Sequence, residues 1–203
     1  MKLYFMPAAC SLAPHIALRE AGLQFDLERV DQSKKTRSGE DYLSVNPKGS
    51  VPAFRLDDGQ VLTEAAVIQQ YIADRVPAKK LAPAAGTPER YRLQEWLNYI
   101  ASEVHKGIGQ LFNPAMPNEY KDAVKKALAS RQLPYLEKAL AGRDYLMGEF
   151  TVADGYLFTV LNWTNLHKID LSAFPNISAF MKRIAARPAV QEAMKAEGLL
   201  KAA

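Results

Sequence analysis

Apolar positions recur along this chain at two periods: two residues in parts of the first third, and three to four in most of the rest. Residues 2–5 are short, apolar and aromatic, which predicts a strand. Ser11 is placed to cap a helix running to about Ala21, with Leu12, Ile16 and Ala17 on one side and Gly22 as its stop. Phe25 and Leu27 alternate with polar neighbours as a second strand. Residues 51–56 and 60–63 flank Asp57-Asp58-Gly59, a hairpin signal with Gly where positive φ is needed. A helix is predicted over 64–76, burying Val67, Ile68, Tyr71 and Ile72 and ended by Pro77.

The resulting order is strand, helix, strand, short helical loop, hairpin, helix. A strand pair joined by a helix suits a parallel unit, and a hairpin is antiparallel, so four strands would form a mixed sheet of thioredoxin-like order. Residues 78–88 are rich in Pro and Ala and read as a linker between a first domain, 1–77, and a second, 89–203. The second domain reads as all-helical. Leu93, Trp96, Ile100, Val104, Ile108 and Leu111 form one apolar stripe, broken after Asn113-Pro114 and Pro117. A second long helix is predicted to Gly142, a third from Thr151, and shorter ones near 177–187 and 189–196. Thr151 and Asp154 have the spacing of a capping box, a folding signal.

Composition narrows the class. With 203 residues, 48% hydrophobic and 24% charged, the chain has enough apolar material for a packed core. Its apolar runs fall short of a membrane span. The N-terminus runs straight into a strand without a signal-like apolar region, so a cytoplasmic protein with no membrane partner is expected. The net charge of +4 comes from dispersed basic residues, and no nucleic-acid partner is expected. A mild positive field suits a small anionic ligand. One cysteine and three histidines without paired spacing argue against an internal disulfide and against a metal site.

The remaining question is which residues carry chemistry. Cys10 lies between a strand end and a helix start, where unpaired N–H groups lower the pKa of a thiol, the protein's or a ligand's. A lone cysteine also serves as a small buried hydrophobe; at this junction the functional reading is preferred. Val51-Pro52 is either an ordinary turn proline or, if cis, a way to turn the Val51 backbone toward an extended peptide. Glu64 and Ala65 start a helix, and together suit a ligand end bearing both an ammonium and a carboxylate; alone, Glu64 merely favours the helix dipole. Glu95, Asn98, Ser102 and His105 make a polar stripe. It is either a solvated face or, through His105 and Lys106, a proton carrier and a cation beside a ligand. His15 and His167 read as structural.

These stretches together resemble the bacterial beta-class glutathione transferases. The matching segments are Met1-Lys2-Leu3-Tyr4, Ala9-Cys10-Ser11-Leu12, Val45-Asn46-Pro47-Lys48-Gly49, Val51-Pro52-Ala53 and Leu62-Thr63-Glu64. In the helical half they are Glu95-Trp96-Leu97-Asn98-Tyr99-Ile100, Glu103-Val104-His105-Lys106 and Thr151-Val152-Ala153-Asp154. The resemblance implies a homodimer with one glutathione site per subunit and cis-Pro52. It places Ala9 and Cys10 at the glutathione sulfur, with a Cys10 mixed disulfide available, and His105 and Lys106 approaching from the helical domain. Val51 would pair with the cysteinyl part, Lys35 with the glycyl end, and Glu64 with Ala65 would hold the γ-glutamyl end. Asn98 and Glu103 would reach the site across the dimer. Two departures stand out: Ala65 lacks the hydroxyl often found in relatives, and Ala8 replaces a common Gly.

The implied activity is conjugation of glutathione, as co-substrate and without a metal, to small hydrophobic electrophiles in a cleft bordered by Phe112 and Trp163. Two alternatives use the same residues or none: a one-cysteine, glutaredoxin-like disulfide oxidoreductase acting through Cys10, and a non-catalytic carrier of hydrophobic ligands. Tyr4 lies within a strand and is not taken as the thiol activator.

Overall fold

The two-residue period of the first third becomes a sheet with two different faces. In the computed structural model, which describes residues 1–200, the strands are β1 (Lys2–Phe5), β2 (Asp26–Arg29), β3 (Ala53–Arg55) and β4 (Val61–Thr63). They form one mixed sheet in the order β2-β1-β3-β4, with β1 parallel to β2 and the other pairs antiparallel. Successive side chains alternate faces. The pair Leu3–Phe54 therefore enters the main core, while Tyr4–Ala53 joins a smaller cluster with Val30, Tyr42 and Val45. Helices α1 (Leu12–Ala21) and α3 (Ala65–Arg75) cover the first face, and α2 (Tyr42–Val45) lies against the second. Gly59 takes φ 86° in the hairpin turn, as expected, and the Val51-Pro52 bond is cis.

Several local expectations need correction. Ser11 occupies the N-cap position of α1 without capping it: its φ is −62°, and its hydroxyl donates to the Met6 carbonyl at 3.2 Å. Burial stabilises this helix instead. Leu12, Ile16 and Leu18 are all nearly inaccessible, each contributing roughly 1.5–3 kcal/mol relative to exposure. Val67 is 48% exposed, so α3 buries Ile68 and Ile72 but not Val67. Tyr71 is only half-buried.

After a single 3₁₀ turn at Pro77–Lys79, Thr87 accepts from the Arg90 N–H and opens α4 (Pro88–Tyr99). The helix expected to run uninterrupted is re-wound by a π-helical turn over Ile100–His105, followed by α5 (Lys106–Gly109) and a 3₁₀ turn at Gln110–Phe112. The reason lies in the stripe itself. Trp96, Ile100, Val104 and Ile108 are spaced by four, which drifts around an α-helix but stays aligned where the turn widens. Ile100, Val104 and Ile108 are accordingly buried.

The helix predicted to reach Gly142 is two helices, α6 (Asn118–Ser130) and α7 (Gln132–Ala139), broken at Arg131. Pro134 has no N–H for the Ser130 carbonyl, and its ring would clash there, so the chain restarts with the proline in the first turn of α7. Helices α8 (Val152–Leu161), α9 (Trp163–Leu166), α10 (Pro175–Ala185) and α11 (Pro188–Ala196) complete the helical half. The capping box at Thr151 forms, and Asp154 also accepts from the Leu146 N–H at 2.9 Å. Gly155 lets α8 approach α1 closely, since a Cβ there would meet Ile16 at 3.3 Å.

Candidate active site

Between the sheet half and the helical half lies a cavity of about 580 Å³. Cys10, Lys48, Val51, Pro52, Thr63, Glu64 and Ala65 line it on the sheet side, and Ala101, Ser102, His105, Lys106 and Tyr156 on the helical side. Each group is positioned by an element end. Cys10 precedes α1, Glu64 precedes α3, and the π-helical turn carries Ala101, Ser102 and His105.

Cys10 is a protonated thiol here, donating from Sγ to the Val51 carbonyl at 3.2 Å. Burial pushes its pKa up to about 12, outweighing the helix-start N–H groups of Cys10 and Ser11 and the nearby charge of Lys106. The expectation of a lowered Cys10 pKa is thereby corrected: desolvation wins over the helix terminus.

His105 is likewise held neutral. Burial, with a smaller contribution from Lys106, pushes its pKa down to about 4, against the opposing pull of Glu64. Its Nδ1 lies 2.8 Å from the Tyr156 hydroxyl, and its ring stacks edge-on against Trp163 with centroids 4.9 Å apart. A neutral imidazole of this kind is a weak proton carrier near neutral pH, which corrects the role first read for it.

The loop before Cys10 is gripped from the helical half. Ala8 sits at φ 62°, a left-handed conformation costing roughly 1–2 kcal/mol for a residue with a Cβ. Its carbonyl accepts from Trp163 Nε1 at 2.8 Å, and its N–H donates to Glu197 at 3.3 Å. Glu197 in turn meets His15 at 2.9 Å, so His15 is structural, as read.

Glu64 also has left-handed backbone, φ 69°, and its carboxylate is ion-paired with Lys48, which also donates to Thr63 Oγ1 at 2.9 Å. The leading N–H groups of α3 open beside it. Tyr4, by contrast, lies on the opposite sheet face, donating to Glu40 at 3.1 Å with its pKa raised to about 12 by burial and that bond.

Other residues singled out from sequence do not line this cavity. Lys35 is exposed beside Asp41, Asn98 and Glu103 point to solvent, and Ala9 lies next to the wall without forming it. Phe112 and Trp163 stack at 5.3 Å as an aromatic strip leading away from His105, and Phe112 is 48% exposed. Lys48 and Tyr156 were missed as site residues. The signals were present: Lys48 lies in the Asn46-Pro47-Lys48-Gly49 stretch, and Tyr156 follows the capping-box Asp154 by two.

A mixed thioredoxin-like sheet whose one cysteine faces a helical half across a cavity is the architecture of a glutathione-transferase fold. Two family models match the chain: "Glutathione S-transferase, N-terminal domain" over residues 9–75 and "Glutathione S-transferase, C-terminal domain" over residues 99–188. Glutathione S-transferase GstA of Escherichia coli O157:H7 is 51% identical over 98% of this chain and all of that relative. A sphingomonad glutathione S-transferase, solved in complex with glutathione, is 50% identical with a TM-score of 0.94, covering 98% of this chain and 100% of its own. The beta-class enzyme of Sphingomonas chungbukensis is 49% identical with a TM-score of 0.95 over the same shares. The chain belongs to the glutathione S-transferase family and is a transferase of the bacterial beta-class type. Among the described residues no helix is long and apolar enough to cross a membrane.

Proposed function

We propose that the cavity binds glutathione and transfers its sulfur to a small hydrophobic electrophile. The observation that carries this reading is the convergence of Cys10, Val51, Glu64, His105 and Lys106 on one cavity. Glu64 takes the γ-glutamyl ammonium, and the first N–H groups of α3 take its carboxylate. Cys10 turns its S–H from the Val51 carbonyl to the glutathione sulfur, which frees that carbonyl for the cysteinyl N–H. Lys106 adds a positive charge beside the sulfur. The glutathione thiol releases its proton to solvent, the thiolate attacks the electrophilic carbon, and the leaving group departs with the bonding pair. Phe112 and Trp163 border the electrophile's approach.

In this reading residues 1–77 hold glutathione and 89–203 provide the facing wall. The protein acts as a cytoplasmic homodimer, Asn98 and Glu103 serve the partner subunit's site, and Lys35 meets the glycyl carboxylate. The protonated Cys10 thiol is a weak nucleophile at neutral pH, which favours conjugation over attack on a glutathione mixed disulfide. The test compares chlorodinitrobenzene conjugation and hydroxyethyl disulfide reduction in the wild type and Cys10→Ala. Conjugation that largely survives the substitution is expected. A wild type that reduces disulfides and conjugates nothing would overturn the reading.

A further inference from the structure

We propose that Tyr156 is a positioning residue that fixes the tautomer of His105, so that the imidazole offers an Nε2–H hydrogen bond to the sulfur held in the cavity. This rests on the glutathione reading above and adds to it the form in which His105 acts.

The contact between the two residues uses Nδ1, at 2.8 Å from the phenol oxygen. The ring nitrogen left for a ligand is therefore Nε2, which has no protein hydrogen-bond partner among the described residues. Which atom donates within the pair is decided by counting protons. The Tyr156 hydroxyl is buried on α8, 2% exposed, and this bond is its only one among the described residues. If Nδ1–H donated to the phenol oxygen, the phenol proton would be left without a protein acceptor in a buried setting, a costly arrangement. If the phenol donates to Nδ1, both groups are satisfied and Nε2 carries the ring proton.

Burial raises the phenol pKa further, so the hydroxyl remains a donor throughout the working range. The T-shaped contacts of the imidazole with Tyr156 and Trp163 hold its plane against rotation. The titratable groups facing this pair are Cys10 from the loop before α1, Glu64 before α3, and the adjacent Lys106. Lys106 and Glu64 act on the imidazole in opposite directions, Lys106 lowering its pKa and Glu64 raising it.

The chemical consequence is that His105 stabilises a glutathione thiolate as a neutral hydrogen-bond donor, with no proton taken up by the ring. Nitrogen NMR of the ¹⁵N-histidine-labelled wild type reads the tautomer directly, with the His105 signal assigned by its loss in His105→Asn. The expected result at neutral pH is a bare Nδ1 and a protonated Nε2; the opposite tautomer overturns the proposal.

The second measurement titrates the thiolate absorbance of bound glutathione in wild type and Tyr156→Phe. The variant is expected to raise the bound thiol's pKa and lower kcat/KM at neutral pH by about three- to tenfold, with KM for glutathione nearly unchanged. An unchanged titration overturns the proposal. A wild type that binds no glutathione overturns the preceding section instead, while the tautomer, read in ligand-free protein, still decides the Tyr156 assignment.

Discussion

The sheet-side wall of the cavity is charged and built from the starts of elements, whereas the helical wall is largely neutral and aromatic. On the first, Glu64 with its Lys48 partner, the Val51 carbonyl and the start of α3 present fixed polar groups. On the second, His105, Tyr156 and the Trp163 behind them stack edge to face around one imidazole, with Lys106 lining that wall as a cation. In the proposed function the first kind of wall recognises a zwitterionic peptide end, and the second surrounds a sulfur with neutral donors and faces apolar molecules. Neither wall ionises a protein group to do chemistry. Burial keeps the Cys10 thiol protonated and the His105 ring uncharged.

The largest effect should come from the foundation of the helical wall. Asp154→Ala leaves the buried Thr151 and Leu146 N–H groups without their acceptor and should cost about 3 kcal/mol, read by urea unfolding. Burial raises the Asp154 pKa from 3.8 to about 6, so between those values the folded state binds more protons than the unfolded. The stability this group contributes is therefore greatest at low pH and falls as pH rises from about 4 to about 6, then levels off. That slope should vanish in Asp154→Asn.

A smaller loss should separate the walls by function. Glu64→Gln should raise KM for glutathione by about tenfold or more through the lost charge-assisted bond, with kcat much less affected. An equal loss in kcat would mean that the sheet wall also takes part in activation. Trp163→Phe removes the donor to the Ala8 carbonyl and should cost about 1 kcal/mol while loosening the Cys10 loop. The smallest effect is an expected invariance. With the His105 pKa near 4, the pH profile of kcat/KM should show no histidine inflection between about pH 5 and 8.

Much of this was legible from residue order. The short apolar, aromatic run of β1, the Asp57-Asp58-Gly59 turn and the Thr151–Asp154 spacing each predicted the structure that forms. What was not legible depends on packing. A strand end followed by a helix start at Cys10 announces a favourable dipole, but the burial that overrides it comes from residues distant in sequence. The π-helical turn was written in spacings of four that an α-helical template absorbs without complaint. Pro134 was a visible break, hidden by the strong helical pattern on either side. Lys48 lies in a stretch that stands out in the sequence, but its partner Glu64 comes beside it only through the fold.

In the proposed mechanism the reactive thiolate belongs to glutathione and not to the protein. An ultraviolet thiolate titration of the ligand-free enzyme, repeated with glutathione bound, tests this directly. The predicted result is no thiolate signal from the free protein below about pH 10, and a signal on glutathione addition with an apparent pKa below that of free glutathione. A thiolate present at neutral pH in the ligand-free enzyme would contradict it.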